Sequence, residues 1–300
     1  MSEVADPPRK KYLVSVCLPA YNEAANIARE IETIRAAMAK TDFDYEFIVV
    51  DDGSTDGTAE LAEKAGVRVV RHGANRGGGV ARNTGILEAR GDIIVASDAD
   101  GTYPHETIPK LLSYFPDYDM VIGARVGTVV QEPWYRKLPK YLIARLASAL
   151  SGIDIPDLNS GFRAFKKETV LSYFSLLPPG HSWAGTITLA FLCNGHPVMF
   201  MPINYYKRKG GPSSFMPIAD TYSYILLIVR AIMYFNPLRV LLPLGFFVFS
   251  VGFLKTVYDF LKTQIGGWDV FLLVASVQIV SLGFIADLIA VLHRRNPAKP

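Results

Sequence analysis

An α/β domain built on a parallel sheet, followed by a hairpin of two membrane-spanning helices, is the fold class that the sequence predicts. Three observations predict it. Apolar strand-like runs and helical patterns alternate four times before residue 120, the order that lays strands side by side in parallel. Acids and glycines follow those runs, at the carboxyl ends of strands where such sheets bind ligands. Two apolar stretches, 240–258 and 270–292, lie near the other end of the sequence, each close to the roughly 20 residues that an α-helix needs to cross a bilayer.

The first strand is Val14-Ser15-Val16-Cys17-Leu18, broken at Pro19, and a helical pattern runs over 24–38. The second, Phe47-Ile48-Val49-Val50, ends in Asp51-Asp52-Gly53-Ser54-Thr55-Asp56-Gly57, where acids and helix-capping hydroxyls sit among glycines. A third strand at 68–71 leads through Asn75-Arg76-Gly77-Gly78-Gly79 into a helix to residue 90. The fourth, Ile93-Ile94-Val95-Ala96-Ser97, runs into Asp98-Ala99-Asp100. If these two aspartates continue the strand they project to one side, because side chains alternate with period two. Paired hard carboxylates suit Mg²⁺ or Mn²⁺ holding a diphosphate. Asp-x-Asp also occurs in ordinary acidic turns, so the pair takes its meaning from its neighbours.

Pro19-Ala20-Tyr21-Asn22-Glu23, Val50-Asp51-Asp52-Gly53-Ser54, the segment 75–85, Gly91-Asp92-Ile93, Asp98-Ala99-Asp100 and Asn159-Ser160-Gly161-Phe162-Arg163 stand in one order along the chain. Together they resemble a family 2 glycosyltransferase of GT-A (Rossmann-like) fold. Within that family the order and spacing are similar to the polyprenyl-phosphate glycosyltransferases, the group that contains dolichol-phosphate mannose synthase. The resemblance covers about 14–214 and implies a nucleotide-sugar-binding catalytic domain over 12–216, after a polar tail at 1–11. It also implies roles. The nucleotide of a UDP- or GDP-sugar would lie near Pro19, Tyr21, Glu23 and Asp52, and its diphosphate would reach a cation at Asp98, Ala99 and Asp100. The acceptor would be a polyprenyl phosphate, dolichyl or undecaprenyl, whose anionic oxygen attacks the anomeric carbon in one inverting displacement.

Cations must position that acceptor. The candidates are Arg125, Arg136, Arg163 and Arg208, and by resemblance Arg125, Arg136 and Arg208 contact the phosphate, to which arginine's planar fork is matched. Pairing with a carboxylate is the alternative for each. Asp157 corresponds to an acidic position on the acceptor side; it orients the acceptor, acts as a base or caps the following turn. Two departures from the family pattern stand out. A glutamine that completes the cation shell in many relatives is missing, so Thr102 or water takes that place. A lysine after the Arg-x-Gly motif is replaced by serine in Arg208-Lys209-Gly210-Gly211-Pro212-Ser213-Ser214, leaving Lys207 or Lys209 to compensate.

Composition adds the membrane. Half of the 300 residues are hydrophobic and the net charge is only +3, with a mean hydropathy of +0.21. The excess sits in 237–300, two spans and a short basic tail, with Lys255 near enough to one end to snorkel. Buried core helices are the alternative for these stretches. The aromatic segment 217–236 reads as an amphipathic helix in the headgroup layer or as one packed on the catalytic domain, and Trp134-Tyr135-Arg136-Lys137 as a contact for anionic headgroups or a solvated helix face. Arg230 and Arg239 precede the spans and Arg294-Arg295 follow, so both termini and the catalytic domain are expected on the cytoplasmic side of an integral membrane protein. Cys17 and Cys193 have no metal or disulfide spacing and read as packing residues.

Other classes fit less well. No Gln-x-x-Arg-Trp motif marks a processive polysaccharide synthase, though another lipid or polysaccharide acceptor stays open. Gly77 to Gly79 lack the spacing of a dinucleotide fingerprint. A charge of +3 without a basic stripe gives no nucleic-acid footprint. A non-catalytic nucleotide-sugar-binding membrane protein would keep the aspartates without turnover. The sequence leaves a homo-oligomer open.

Overall fold

Residues 12–125, 145, 148, 152, 154–180, 182–206, 229, 233, 236–262 and 266–295 are described in the computed structural model. The parallel half of the sheet follows from the alternation seen in the sequence: β1 (Leu13–Ala20), α1 (Ile27–Met38), β2 (Asp44–Asp51), α2 (Thr58–Lys64), β3 (Arg68–Arg71), α3 (Gly78–Glu88) and β4 (Ile93–Ala96). A short helix, α4 (Ile108–Leu112), then leads to β5 (Met120–Ala124), β6 (Arg163–Lys166), α5 (Lys167–Leu171), α6 (Trp183–Cys193) and β7 (Val198–Pro202). Seven strands form one sheet in the order β3-β2-β1-β4-β6-β5-β7. The order reverses between β1 and β4, and crevices at such a switch point receive ligands.

Strand periodicity builds two cores. Val14, Val16 and Leu18 face Ile27, Ile31 and Ile34 of α1, whereas Cys17, Ile48 and Val50 face Ala81 and Ile86 of α3 and Trp183 and Phe191 of α6. A sheet covered on both faces is therefore fixed in register, since a one-residue slip would exchange the cores. Burial pushes the Cys17 thiol up to about 12, and it sits against Gly85 as packing. Cys193 ends α6.

Four expectations are corrected. The sheet is mixed, because β6 runs antiparallel to both β4 and β5; a four-residue strand with charged ends carries little hydropathy signal. The first strand continues through Pro19 to Ala20. Beyond Cys17 the described pairing of β1 is with β2 alone, and a proline is tolerated where one side has no ladder. β4 stops at Ala96, so strand pleating does not align Asp98 with Asp100. The helix after β1 also begins at Ile27, later than the pattern from residue 24.

Two long helices, α7 (Leu238–Leu261) and α8 (Gly267–Arg295), form the C-terminal hairpin. Gly245 abuts Val280, Gly252 abuts Leu272 and Gly283 abuts Leu241, the close approach that small residues give membrane helices. Only 11% of each apolar window is buried. The helices of a soluble core would be mostly covered, whereas these expose Phe246, Phe247, Leu254, Phe271 and Leu288, which suit contact with lipid. Lys255, expected to snorkel, pairs with Asp259 and reaches across to Asp269 at 2.9 Å. The expected segment 217–236 and the Trp134 to Lys137 cluster lie almost wholly outside the described residues.

Candidate active site

Two loops at the carboxyl ends of β1 and β2 are sewn together. Asn22 N–H donates to Ser54 Oγ (2.9 Å) and Thr55 N–H to Asn22 Oδ1 (2.9 Å), while Glu23 and Ala24 N–H donate to Thr58 Oγ1 (2.8 Å) and Asp56 Oδ2 (3.0 Å). Gly53 turns between them with φ +77°, and a Cβ there would lie 2.6 Å from the carbonyl carbon of Ala74; only glycine fits. Asp52 is buried and accepts from Arg76 N (3.0 Å), Gly77 N (2.8 Å) and, at 2.6 Å, contacts His72 Nδ1. Its carboxylate thus fixes the wall formed by the β3–α3 loop. Beside it Pro19 is partly covered, Glu23 is buried with Oε2 accepting from Asn26 Nδ2 at 2.9 Å, and Tyr21 is 44% exposed, presenting an aromatic face.

The aspartate pair occupies the loop after β4. Asp98 is bound by the Arg82 guanidinium from α3. Because β6 runs antiparallel, the residues before it return to this end of β4, and a Cβ on Gly161 would lie 2.8 Å from Asp98 Oδ2. Gly161 N–H donates to Tyr103 Oη at 2.8 Å. Asp100 Oδ1 accepts from the Thr102 amide (3.2 Å) and hydroxyl (2.6 Å), so Thr102, which is buried, stands behind Asp100. Both carboxylates act on Tyr205: burial pushes its phenol up, a hydrogen bond with Thr102 and the Arg125 charge oppose this, and Asp100 and Asp98 add to it. Ala99 between them is buried.

Against the Tyr205 ring lies a cation. Arg125 follows β5, and its Cζ sits 5.3 Å from the Tyr205 ring centroid. Its Nε and Nη2 donate to the two oxygens of Asp157 at 2.7 and 2.8 Å, and its amide donates to Asp157 Oδ2 at 3.0 Å. Burial pushes the Asp157 carboxyl up, but the Arg125 charge and hydrogen bonds outweigh it and hold the group below the ordinary range. Asp157 also caps the next turn through Asn159 N–H at 3.1 Å. Arg163 faces elsewhere: fully buried, it donates to Ala184 O and Thr188 Oγ1, both at 3.0 Å, and burial pulls its pKa down to about 9. It braces β6 against α6. Arg136 and Arg208, with Lys207 and Lys209, lie outside the described residues.

Asp98 and Asp100 are the residues that could hold a divalent cation. The fit is supported by what surrounds them: hard oxygens, an Asp98 side chain still 31% exposed with a guanidinium already on it, and buried polar atoms with no partner among the described residues, Asn159 Oδ1, Ser160 Oγ and Arg82 Nε. Among the described residues no third carboxylate, histidine or cysteine joins the pair. Diphosphate oxygens and water would complete six-fold coordination. Arg82, His72, Tyr103 and Tyr205 were not singled out by the sequence, where each reads as an ordinary helix or loop residue; Arg82 lies four residues after Gly78 in the glycine-rich helix start, the one local signal.

Known proteins resemble this chain in both its sheet domain and its hairpin. Residues 15–174 match the family model described as glycosyl transferase family 2, and 236–292 that described as the GtrB C-terminal hairpin. Glycosyltransferase AglJ of Haloferax volcanii is 30% identical, over 94% of this chain and 95% of that protein. Undecaprenyl-phosphate 4-deoxy-4-formamido-L-arabinose transferase of Enterobacter sp. is 29% identical, over 96% of this chain and 91% of that protein. A structure of glucosyl-3-phosphoglycerate synthase from Mycobacterium tuberculosis with Mn²⁺, UDP and glucosyl-3-phosphoglycerate superposes with a TM-score of 0.58 at 23% identity, over 73% of this chain and 80% of that one. At that identity the likeness speaks for the fold alone.

Proposed function

The chain belongs to glycosyl transferase family 2, and on that footing we propose that this membrane glycosyltransferase moves a sugar from a nucleotide sugar to a polyprenyl phosphate, with inversion, at the cytoplasmic face. One observation carries the reading: a carboxylate pair in the loop after β4, Asp98 with Arg82 on it and Asp100, and a part-buried guanidinium, Arg125, against Tyr205, in a chain with two long apolar helices beyond them. The first half suits a diphosphate with its cation, the second a phosphate monoester. The name of the Enterobacter relative supports the lipid acceptor.

Tyr21, Pro19, Glu23 and Asp52 form the nucleotide end of the cleft. A divalent ion, Mg²⁺ or Mn²⁺, supplies counter-charge for the leaving nucleoside diphosphate. The attacking atom is an oxygen of the acceptor phosphate; it forms the bond to the anomeric carbon as the bond to the donor phosphate breaks, so one displacement inverts that centre. A phosphate oxygen is already anionic at neutral pH and needs no base. Asp157, held below the ordinary range by Arg125, is poorly matched to proton abstraction near neutrality; its role is to hold Arg125. Arg136 and Arg208 are the further cations of this reading, and the basic residues flanking the hairpin support the cytoplasmic orientation.

Purified full-length protein in detergent, offered UDP- and GDP-sugars with a short polyprenyl phosphate, should yield a lipid-linked sugar of inverted configuration, abolished by excess chelator. Inside-out vesicles should use donor added outside. Nucleotide-sugar binding without turnover would instead mark a non-catalytic binder, and transfer to a polysaccharide or another lipid would replace the acceptor.

A further inference from the structure

Helix α1 buries an apolar face through Ile27, Ile31 and Ile34, and Glu30 lies buried among them. A carboxylate in such a place is costly unless it is paired. Its Oε1 accepts from Arg29 Nε at 3.1 Å and from Arg29 Nη2 at 2.7 Å, and its Oε2 lies 2.7 Å from His105 Nδ1. Burial pushes the Glu30 carboxyl up, but hydrogen bonds from His105 and Arg29 outweigh it and hold the group below the ordinary range. An ionised carboxylate only accepts, so Nδ1 carries the hydrogen. The other ring nitrogen, Nε2, lies 2.7 Å from Ser97 Oγ. That contact stands in either ring state, because the serine hydroxyl donates to a neutral imidazole and accepts from a charged one.

Glu30, His105 and Ser97 are all buried, and the chain of contacts they form ends one residue before Asp98. Beyond the aspartates the loop returns to the same carboxylate: a Cβ on Gly101 would lie 2.6 Å from Arg29 Nη2 and 3.3 Å from Glu30 Oε1. The His105 ring also packs edge-on to Phe162 at 6.0 Å, next to Gly161, which lies against Asp98. Three polar side chains thus occupy a place that apolar packing would fill, and they converge on the segment 97–101 that carries both aspartates. Such departures from core patterning are expected at functional sites. We propose that His105 is a positioning residue for the metal pair: by tying Ser97 to the Glu30 carboxylate of α1, it fixes the start of the loop that carries Asp98 and Asp100. This rests on the assignment of those aspartates to the cation.

The test uses full-length protein in detergent with two readouts. Mn²⁺ affinity is measured by electron paramagnetic resonance with saturating UDP, then GDP, and metal-free nucleotide binding by thermal stabilisation in excess chelator. Ser97→Ala removes the hydroxyl. His105→Asn sets an amide nitrogen near the place of Nδ1, keeping a donor for Glu30, and leaves nothing at the place of Nε2. Each should weaken Mn²⁺ about fivefold and leave metal-free nucleotide binding within about twofold; the loss is smaller than the roughly ten- to hundredfold of a direct outer-shell partner, because the tie acts through one backbone step. The double variant should bind Mn²⁺ no more weakly than the worse single one, since both changes open the same tie. A tie that serves the fold alone would lower the melting temperature and leave the Mn²⁺ affinity of folded protein unchanged. That result, additive losses in the double variant, or an equal loss of metal-free nucleotide binding would each overturn the proposal while leaving the metal pair in place. Wild-type protein that binds no Mn²⁺ with either nucleotide refutes the metal pair itself, and the positioning role with it. If His105→Asn fails to fold, Ser97→Ala, which loses a single hydroxyl, still decides.

Discussion

The Arg125–Asp157 pair shows how the arginine proposed for the acceptor phosphate is held in a largely covered place. A buried guanidinium without a counter-charge is costly, and a bidentate carboxylate offsets that cost while fixing the planar fork. Asp157 is held below the ordinary aspartate range, so its contribution to stability is present above the unfolded value and is lost as pH falls through the lower folded one. We expect Asp157→Asn to melt below wild type at pH 7, with little change down to pH 5. The gap should begin to narrow below about pH 4, where the unfolded chain takes up the proton, and close as pH falls through the lower folded value; a constant gap to pH 3, measured by thermal denaturation, would contradict the pairing. At this scale the sequence exposed the motif residues, Asp52, Asp98, Asp100 and Arg125, because their chemistry is local. It did not expose Arg82 or Tyr205, whose partners lie 16 and about 100 positions away, nor did it tell Arg163, a fully buried strut, from a cleft cation.

Among the elements, β6 decides the site. Its antiparallel course brings Asn159, Ser160 and Gly161 back beside Asp98, and the strand–helix alternation that predicted β1 to β4 carries no information about it. Gly161 is the point of closest approach. Gly161→Ala places a methyl 2.8 Å from Asp98 Oδ2 and 3.2 Å from its Cγ, and the flexible carboxylate must move while the backbone need not. The expected result is a near-wild-type melting temperature with transfer reduced at least tenfold; full activity would show that Asp98 tolerates displacement. The hairpin, in contrast, was legible from length and hydropathy alone, apart from the Lys255–Asp269 link that spans its two helices. Contacts in the catalytic core come from the sheet and its own helices. A chain stopped at Asn236 should therefore leave the membrane fraction and still bind nucleotide, as read by UDP- or GDP-dependent thermal stabilisation. Loss of the folded domain would give the hairpin a structural role instead.

Over the whole molecule, an α/β sheet with the candidate site at its switch point is joined to two long apolar helices that could span a membrane, an arrangement suited to the proposed water-soluble donor and membrane-bound acceptor. The proposed function requires two separable halves in this site, Asp98 with Asp100 for the donor diphosphate and Arg125 for the acceptor phosphate. The most direct measurement titrates donor and acceptor separately in wild type, Asp98→Ala and Arg125→Ala. Asp98→Ala should abolish transfer and metal-dependent donor binding. Arg125→Ala should keep donor affinity and weaken acceptor use by ten- to a hundredfold, since a charge-assisted contact is worth roughly 1.5–3 kcal/mol. Unchanged acceptor dependence in Arg125→Ala, or undiminished transfer in Asp98→Ala, would contradict it.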